Sequence, residues 1–217
     1  MRREQITTLV FSTALALVLP ATARGDVIAV GQGAFPGFAT LITFTGLPDQ
    51  TEVNGLNFGG VQFAYSLGSG NVVIDGGPGA TLNIAPPNIV SIGNNTGVLS
   101  MILPSLETMF GFGFAVLNTV PVANATTITL FNGVTNVGSL SFNGVPDPTF
   151  AGGFAGILST IPFDRVNVTF NSVAAPAFAL DNIRFANVPT AVPEPTTITL
   201  VAIGLLSVGW SSRRRRN

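Results

Sequence analysis

The chain has 217 residues with no cysteine and no histidine, and 9% of the residues are charged against 47% that are hydrophobic. These absences exclude Ser-His-Asp and Cys-His catalytic groups, metal or haem ligation by histidine or thiolate, and a disulfide framework. Residues 24–191 contain three arginines, no lysine and eight carboxylates, a net charge of about −5, so nucleic-acid binding is not expected.

The N-terminus has the features of a secretory signal peptide. Two arginines precede an apolar run from Ile6 to Leu19, and Ala21 and Ala23 follow in the small-x-small pattern that signal peptidase recognises. The alternative is a retained transmembrane helix, but the run would span only about 21 Å of a ~30 Å hydrocarbon core. We therefore expect residues 1–23 to be a cleaved signal peptide.

Residues 24–187 are predicted to form one all-β domain, an antiparallel two-sheet β-sandwich of the jelly-roll type. Short apolar or alternating runs recur about every 8 to 12 residues between Gly, Pro, Asn and Asp clusters, and no convincing amphipathic helix is present. The predicted strands are 38–45, 61–67, 71–75, 98–103, 109–117, 126–131, 138–142, 154–159, 165–170 and 177–185.

Local patterns support this prediction. Asn-Gly pairs at 54–55, 132–133 and 143–144 favour tight turns, because both residue types tolerate positive φ. In the segment 165–170 apolar and polar residues alternate, which predicts that Val166, Val168 and Phe170 share a buried face.

The segment Phe110-Gly-Phe-Gly-Phe114 places three phenylalanines on one face of a strand and two glycines on the other. The smooth glycine face lets another backbone or an aromatic ring approach closely, so a ligand platform is one interpretation. The other is a core strand with close sheet packing, which we favour because phenylalanine is usually buried.

The last predicted strand contains a break in its alternation. Phe178 and Leu180 are even-numbered whereas Ile183 and Phe185 are odd-numbered, so a continuous apolar face needs a β-bulge near Asp181 and Asn182. Residues 179–185 resemble the closing strand of many extracellular jelly-roll domains, including carbohydrate-binding modules, and the resemblance implies that the aspartate serves a structural calcium.

Asp181 and Asn182 are therefore our candidate calcium ligands, since Ca²⁺ prefers carboxylate, amide and carbonyl oxygens. The alternative, which we favour, is that the two side chains hydrogen-bond local amides at the bulge. No other cofactor is expected.

Residues 188–195 are predicted to form a proline-rich linker, and residues 196–217 a transmembrane sorting helix with a basic end. The 17 uncharged residues 196–212 span about 25 Å as a helix, a marginal length for a bilayer of ~30 Å core. The basic end is expected to stay cytoplasmic, which places the sandwich on the exported side. The linker motif comprises Val192, Pro193, Glu194 and Pro195, and the basic cluster comprises Arg213, Arg214, Arg215 and Arg216.

Motif, apolar stretch and arginine cluster together resemble the PEP-CTERM sorting signal of Gram-negative bacteria. The resemblance implies recognition by an exosortase in the inner membrane, removal of the tail, and delivery to the cell surface, outer envelope or exopolysaccharide matrix. Signal peptidase and exosortase would then be processing partners, and exopolysaccharide a further one. The alternative is an ordinary C-terminal membrane anchor.

Three functions remain open for the domain. The leading one is a non-catalytic surface or matrix protein, and the second is a carbohydrate-binding module, although Tyr65 and phenylalanines are its only aromatic residues. The third is a glycosidase, which needs two carboxylates flanking a sugar. Its candidates are Glu52, Glu107, Asp49, Asp75, Asp147 and Asp164.

Overall fold

The computed structural model describes residues 26–189, which form eleven β-strands and a 3-10 turn at Gln32–Ala34. Every pairing between these strands is antiparallel, which confirms the all-β prediction. The strands are β1 Val27–Ala29, β2 Thr40–Ile42, β3 Asn57–Phe58, β4 Val61–Tyr65, β5 Val72–Asp75, β6 Asn88–Ser91, β7 Leu99–Val116, β8 Val122–Asn132, β9 Thr135–Asp147, β10 Phe150–Phe170 and β11 Phe178–Ala186.

Two long strands, β7 and β10, run through both layers of the structure. Residues 109–116 of β7 pair with residues 151–158 of β10, and residues 99–102 pair with residues 165–168, with register shifts between the two blocks. The first block belongs to layer A, which also contains β1, β2, β5, β6 and β11. The second block belongs to layer B, which also contains β3, β4, β8 and most of β9.

The two layers face each other across a phenylalanine-rich core. Phe112 of layer A lies 6.5 Å from Phe170 of layer B between ring centroids, and Phe170 stacks on Phe178 of layer A at 4.0 Å. Phe110, Phe112 and Phe114 are fully buried, so the prediction that they form a core strand is confirmed. Burying one such side chain stabilises the fold by about 1.5–3 kcal/mol.

The alternation of residues 165–170 is confirmed as well. Val166 and Val168 are fully buried and Phe170 is 9% exposed, whereas Arg165 and Asn167 lie on the opposite, outer face of layer B. The bulge in β11 is also confirmed: the register with β7 shifts between Asp181 and Arg184, and Asn182 has φ +53°.

Several strand boundaries differ from the predictions. The predicted strands 98–103 and 109–117 are one strand, β7, and 154–159 and 165–170 are both parts of β10, because each strand bends between the layers and resumes its pairing with the other after register shifts. The short strands β1, β3 and β6 were not predicted, since two to four residues carry too little alternation to be recognised.

The Asn-Gly pairs behave differently from one another. Asn132-Gly133 forms the tight β8–β9 turn, with Gly133 at φ +57°. The turn expected at 143–144 is wrong: both residues lie inside β9, where the Asn143 side chain accepts a hydrogen bond from the amide of Asn124 at 2.9 Å. That contact supports a bulge in β8, where Asn124 adopts φ +48°.

The glycine face of β7 is covered by the chain itself. A Cβ atom at Gly111 would lie 2.8 Å from the Phe154 ring and 3.0 Å from the Phe35 ring, and one at Gly113 would overlap the carbonyl group of Asn83. As predicted for a face without side chains, aromatic rings and a backbone segment pack closely against these glycines, but they belong to this chain and not to a ligand. The backbone is that of residues 76–87, which we call the β5–β6 loop.

Substituting Gly113→Ala should lower the free energy of unfolding by about 1–3 kcal/mol, because the new methyl group forces the β5–β6 loop away from layer A. Chemical denaturation measures this change. Gly76→Ala is the matched control, since its Cβ would meet no atom within 4 Å. Equal stability of the two variants would contradict the close packing of the loop.

Candidate functional site

The outer face of layer B carries mostly polar side chains. Residues directly opposite one another across its strands include the row Ser100, Asn167, Thr129 and Ser139. We call this surface the layer B face. It comprises Gln62, Ala64, Ser100, Ile102, Thr127, Thr129, Phe131, Ser139, Ser141, Arg165, Asn167 and Thr169.

Hydroxyl groups on this face pair across the strands. The hydroxyl oxygens of Thr127 and Ser141 lie 2.8 Å apart, and those of Thr129 and Ser139 lie 3.0 Å apart. Each hydroxyl has one donor and two acceptor sites, so these pairs keep capacity for a further partner. Four adjacent strands at ~4.8 Å spacing make the row about 14 Å long, the extent of an oligosaccharide segment rather than one ring.

Arg165 is held on this face by an aromatic ring. Its guanidinium carbon lies 4.5 Å from the centroid of the Phe131 ring. Its buried Nε, and the buried Oδ1 of Asn167 on the same face, have no hydrogen-bond partner. Such buried polar atoms are rare in folded proteins and call for an explanation.

Tyr65, the one tyrosine of the chain, is not available as a stacking platform. It is 3% exposed, and its hydroxyl donates to the carbonyl of Asn94 at 2.8 Å and accepts from the amide of Gly97 at 3.0 Å. Burial raises the pKa of this phenol, and the hydrogen bond from Gly97 opposes the change. Tyr65 therefore fixes the loop before β7.

The candidate calcium ligands lie beneath the β5–β6 loop. Asp181 is 1% exposed, and its Oδ2 accepts a hydrogen bond from the amide of Ala85 at 3.1 Å. The side-chain amide of Asn182 donates to the carbonyl of Asn83 at 2.9 Å. Both residues thus attach the loop to layer A, a long-range role that the sequence did not indicate.

A second buried oxygen lies beside Asp181. Leu180 pairs with Ile89, so the same register places Asn88 next to Asp181 on the outer side of layer A. The Oδ1 atoms of Asn88 and Asp181 are both buried without a hydrogen-bond partner. Burial raises the pKa of the Asp181 carboxyl to about 6, against the opposing effect of hydrogen bonds from the Asn182 and Ala85 amides.

Two acceptor oxygens without a donor can be satisfied by a bound cation or by a proton on the carboxyl group. The donor types suit Ca²⁺, with Asn88 as an additional ligand. However, residues 26–189 contain no group of three or more acidic side chains able to hold a metal ion. The calcium site at Asp181 and Asn182 stays a prediction.

The carboxylates considered for glycosidase chemistry mostly bind nearby loops. Glu52 accepts from the amides of Asn54 and Gly70, and Glu107, which is 5% exposed, accepts from the hydroxyl of Ser105 at 2.6 Å. Asp75 accepts hydrogen bonds from the side-chain amide of Gln50 and the backbone amide of Gly77. Asp147 accepts one from the hydroxyl of Thr81, and Asp164 accepts one from the backbone amide of Gly133. Asp49 lies exposed in a turn. For Glu52, Asp75 and Asp164 these contacts are the turn-stabilising role common for such residues.

A cavity of about 290 Å³ lies on the outer side of layer A, next to the β5–β6 loop. Its walls include Val90, Ala115, Leu117, Phe150 and Phe178. These side chains offer no hydrogen-bonding groups, so the cavity suits apolar matter rather than a sugar.

The predicted signal-cleavage residues 21 and 23, the motif 192–195 and the arginines 213–216 lie outside the described residues, as does the predicted transmembrane helix. Within residues 26–189, no helix is long and apolar enough to cross a bilayer.

A family profile described as the PEP-CTERM protein-sorting motif matches residues 191–215. The chain therefore carries a PEP-CTERM sorting signal and is an exported protein of the kind sorted by an exosortase. No curated protein is significantly similar to it in sequence.

Among solved structures, similar chains include carbohydrate-binding modules. The CBM22-1 xylan-binding domain of Paenibacillus barcinonensis Xyn10C is 14% identical, with a TM-score of 0.40 over 78% of this chain and 100% of that domain. A variant of CBM29-2, a family 29 carbohydrate-binding module, is 14% identical, with a TM-score of 0.37 over 68% of this chain and 91% of that one. These similarities are remote, and the fold described above rests on its own strand pairing.

Asp181→Asn tests the buried carboxyl group. Without divalent cations, the free energy of unfolding of the unsubstituted protein should fall as the pH rises from about 4 to about 6. The reason is that the folded state, with the higher pKa, binds the proton more tightly than the unfolded state in that window. At neutral pH the buried Asp181 carboxylate lowers the free energy of unfolding by about 3 kcal/mol. A difference of one between the pKa values of the folded and unfolded states corresponds to roughly 1.4 kcal/mol.

The substituted side-chain amide carries no charge and supplies a donor, so the Asp181→Asn variant should be more stable at neutral pH in EDTA and lack this pH dependence. Thermal unfolding across this pH range measures both effects, with the exposed Asp49→Asn as control. A variant less stable than the unsubstituted protein would contradict this explanation.

Added Ca²⁺ should raise the Tm of the unsubstituted protein but not that of Asp181→Asn. If Ca²⁺ raises the Tm of neither protein, the calcium prediction is wrong.

Proposed function

We propose that this chain is a non-catalytic exported protein of a Gram-negative bacterium, displayed at the cell surface or in the exopolysaccharide matrix after its C-terminal tail is removed. The match of residues 191–215 to the PEP-CTERM protein-sorting motif carries this proposal. The motif follows directly on the β-sandwich, whose last strand ends at Ala186. In this proposal exosortase recognises residues 192–195, and the arginines 213–216 hold the tail during processing.

The domain architecture belongs to the same proposal. Signal peptidase removes residues 1–23, residues 24–187 form the exported sandwich, residues 188–195 are the linker, and residues 196–217 are the transient membrane segment and its basic end. A tail that holds the chain only briefly in the membrane suits a marginal apolar length of about 25 Å.

Mass spectrometry of the protein from an exosortase-containing host tests the processing. The product at the cell surface should begin at Arg24 and should lack Trp210 and the arginine cluster. Glu194→Ala, or deletion of the exosortase, should leave the tail attached and the protein in the inner membrane. Glu4→Ala, in the predicted signal peptide, is a control that should not change tail removal. A surface product that still contains Trp210 would refute the processing.

A second candidate function, binding of a polysaccharide, is favoured by the layer B face. Its hydroxyl and amide side chains offer donors and acceptors on four neighbouring strands, and Phe131 supplies an aromatic ring. Polysaccharide binding would retain the processed protein in the matrix without any covalent attachment.

Ser139→Glu should weaken retention of the protein on immobilised exopolysaccharide, because the carboxylate must stay hydrated and would project from the β9 end of the row, beside the Thr129 hydroxyl. Affinity electrophoresis of the full chain in non-ionic detergent measures retention. Thr119→Glu, exposed in the β7–β8 loop outside the layer B face, should bind as the unsubstituted chain does. Loss of binding in both variants, or in neither, would exclude the layer B face.

A further inference from the structure

The layer B face carries a single charge. Its twelve positions hold hydroxyl, amide and apolar side chains and one arginine, Arg165, with no carboxylate among them. Asp164, the adjacent residue in the chain, accepts a hydrogen bond from the amide of Gly133 at 2.9 Å in the β8–β9 turn. The face is therefore locally positive, although the described part of the chain is acidic overall.

The guanidinium group of Arg165 is positioned but not paired. Phe131 contacts it at 4.5 Å from the ring centroid, and stacking of this kind orients the guanidinium plane while its N–H groups remain at the edge. Its Nε has no hydrogen-bond partner, and no acidic residue of the range 26–189 forms an ion pair with it. An arginine held in this way is prepared for a planar anion.

The polar side chains near Arg165 indicate which groups the ligand should carry besides an anionic group. Asn167 lies two residues further along β10 on the same face and is partly exposed. Thr129 and Ser139 continue its row with hydroxyls. A ligand that presents one carboxylate next to several hydroxyl groups would satisfy the arginine, the Asn167 side chain and the hydroxyl row together.

We propose that the layer B face binds an anionic polysaccharide, in which a carboxylate on a sugar ring pairs with Arg165 and the sugar hydroxyls bond to Asn167, Thr129 and Ser139. The proposal rests on the polysaccharide-binding function proposed above and names its substrate class. The carboxylate accepts two parallel hydrogen bonds from the guanidinium fork.

The other arginine of the described residues, Arg184, has different surroundings. It lies on layer A between Leu41 and Gly111, where the Phe35 ring covers the neighbouring glycine face. Its Nε is likewise buried and unpartnered, which makes it chemically comparable to Arg165 without a hydroxyl row beside it. Arg184→Gln is therefore a matched control.

The test compares binding of the full chain, in non-ionic detergent, to polygalacturonate and to its fully methyl-esterified form. The two polymers share a sugar backbone but only the first is charged, so the comparison measures the effect of the carboxylates alone. The unsubstituted chain should bind polygalacturonate at least tenfold more tightly than the ester, and rising salt should weaken the binding. Arg165→Gln should reduce the affinity for polygalacturonate about tenfold or more and leave the ester unaffected. Arg165→Lys should fall between, because it keeps the charge but loses the fork, and Arg184→Gln should not change the affinity.

The results test three separate points: the anionic substrate class, polysaccharide binding itself and the assignment to the layer B face. Equal binding of both polymers, with no effect of Arg165→Gln, would overturn the anionic substrate class and leave polysaccharide binding intact. Binding of neither polymer nor of any neutral glucan or xylan would overturn both. An equal loss in Arg184→Gln would overturn the assignment to the layer B face. If Arg165→Gln fails to fold, as judged by its Tm, the ester comparison and the salt dependence of the unsubstituted chain still decide the substrate class.

Discussion

The pairing of β7 with β10 in both layers is the constraint on which the rest of the structure depends. Because the same two strands form the centre of layer A and continue into layer B, their register fixes how the layers face each other. The contact between Phe112 and Phe170 follows from that register, and so does the outward position of Arg165 and Asn167. The layer B face is thus a consequence of how two strands bend around one core.

The two outer faces of the sandwich differ because their side chains differ. On layer A the glycines of β7 admit the β5–β6 loop, and Asp181 and Asn182 hold that loop in place. This arrangement buries the Asp181 carboxylate, which destabilises the folded state unless a cation or a proton neutralises the charge. Layer B has side chains of medium size at the corresponding positions, and the serine and threonine side chains of its outer face stay at least partly exposed within residues 26–189. The exported protein thus has one face covered by its own chain and one open to a partner.

The sequence predicted the strand type, the buried phenylalanines and the bulge at Asp181, because alternation with period two is local and strong. It did not predict that 98–103 and 109–117 are one strand, since the residues at the bend between layers break the alternation, while the strand continues and pairs with β10 again after register shifts. Nor did it predict the layer B face. Thr129, Ser139 and Asn167 come from three separate segments, and only the register across strands brings them into one row. Likewise, nothing near residue 181 in sequence indicates Ala85 or Asn88 as its neighbours.

We expect the exported sandwich to meet its partner through the layer B face. Hydroxyl-radical footprinting of the full chain in detergent, with and without oligogalacturonide, tests it most directly by reporting the solvent exposure of individual side chains. Oxidation of Phe131 and Ile102 should fall in the presence of the oligosaccharide, while that of Leu117 and Phe150, beside the cavity of layer A, should not change. Protection at the layer A cavity, with Phe131 and Ile102 unchanged, would contradict it.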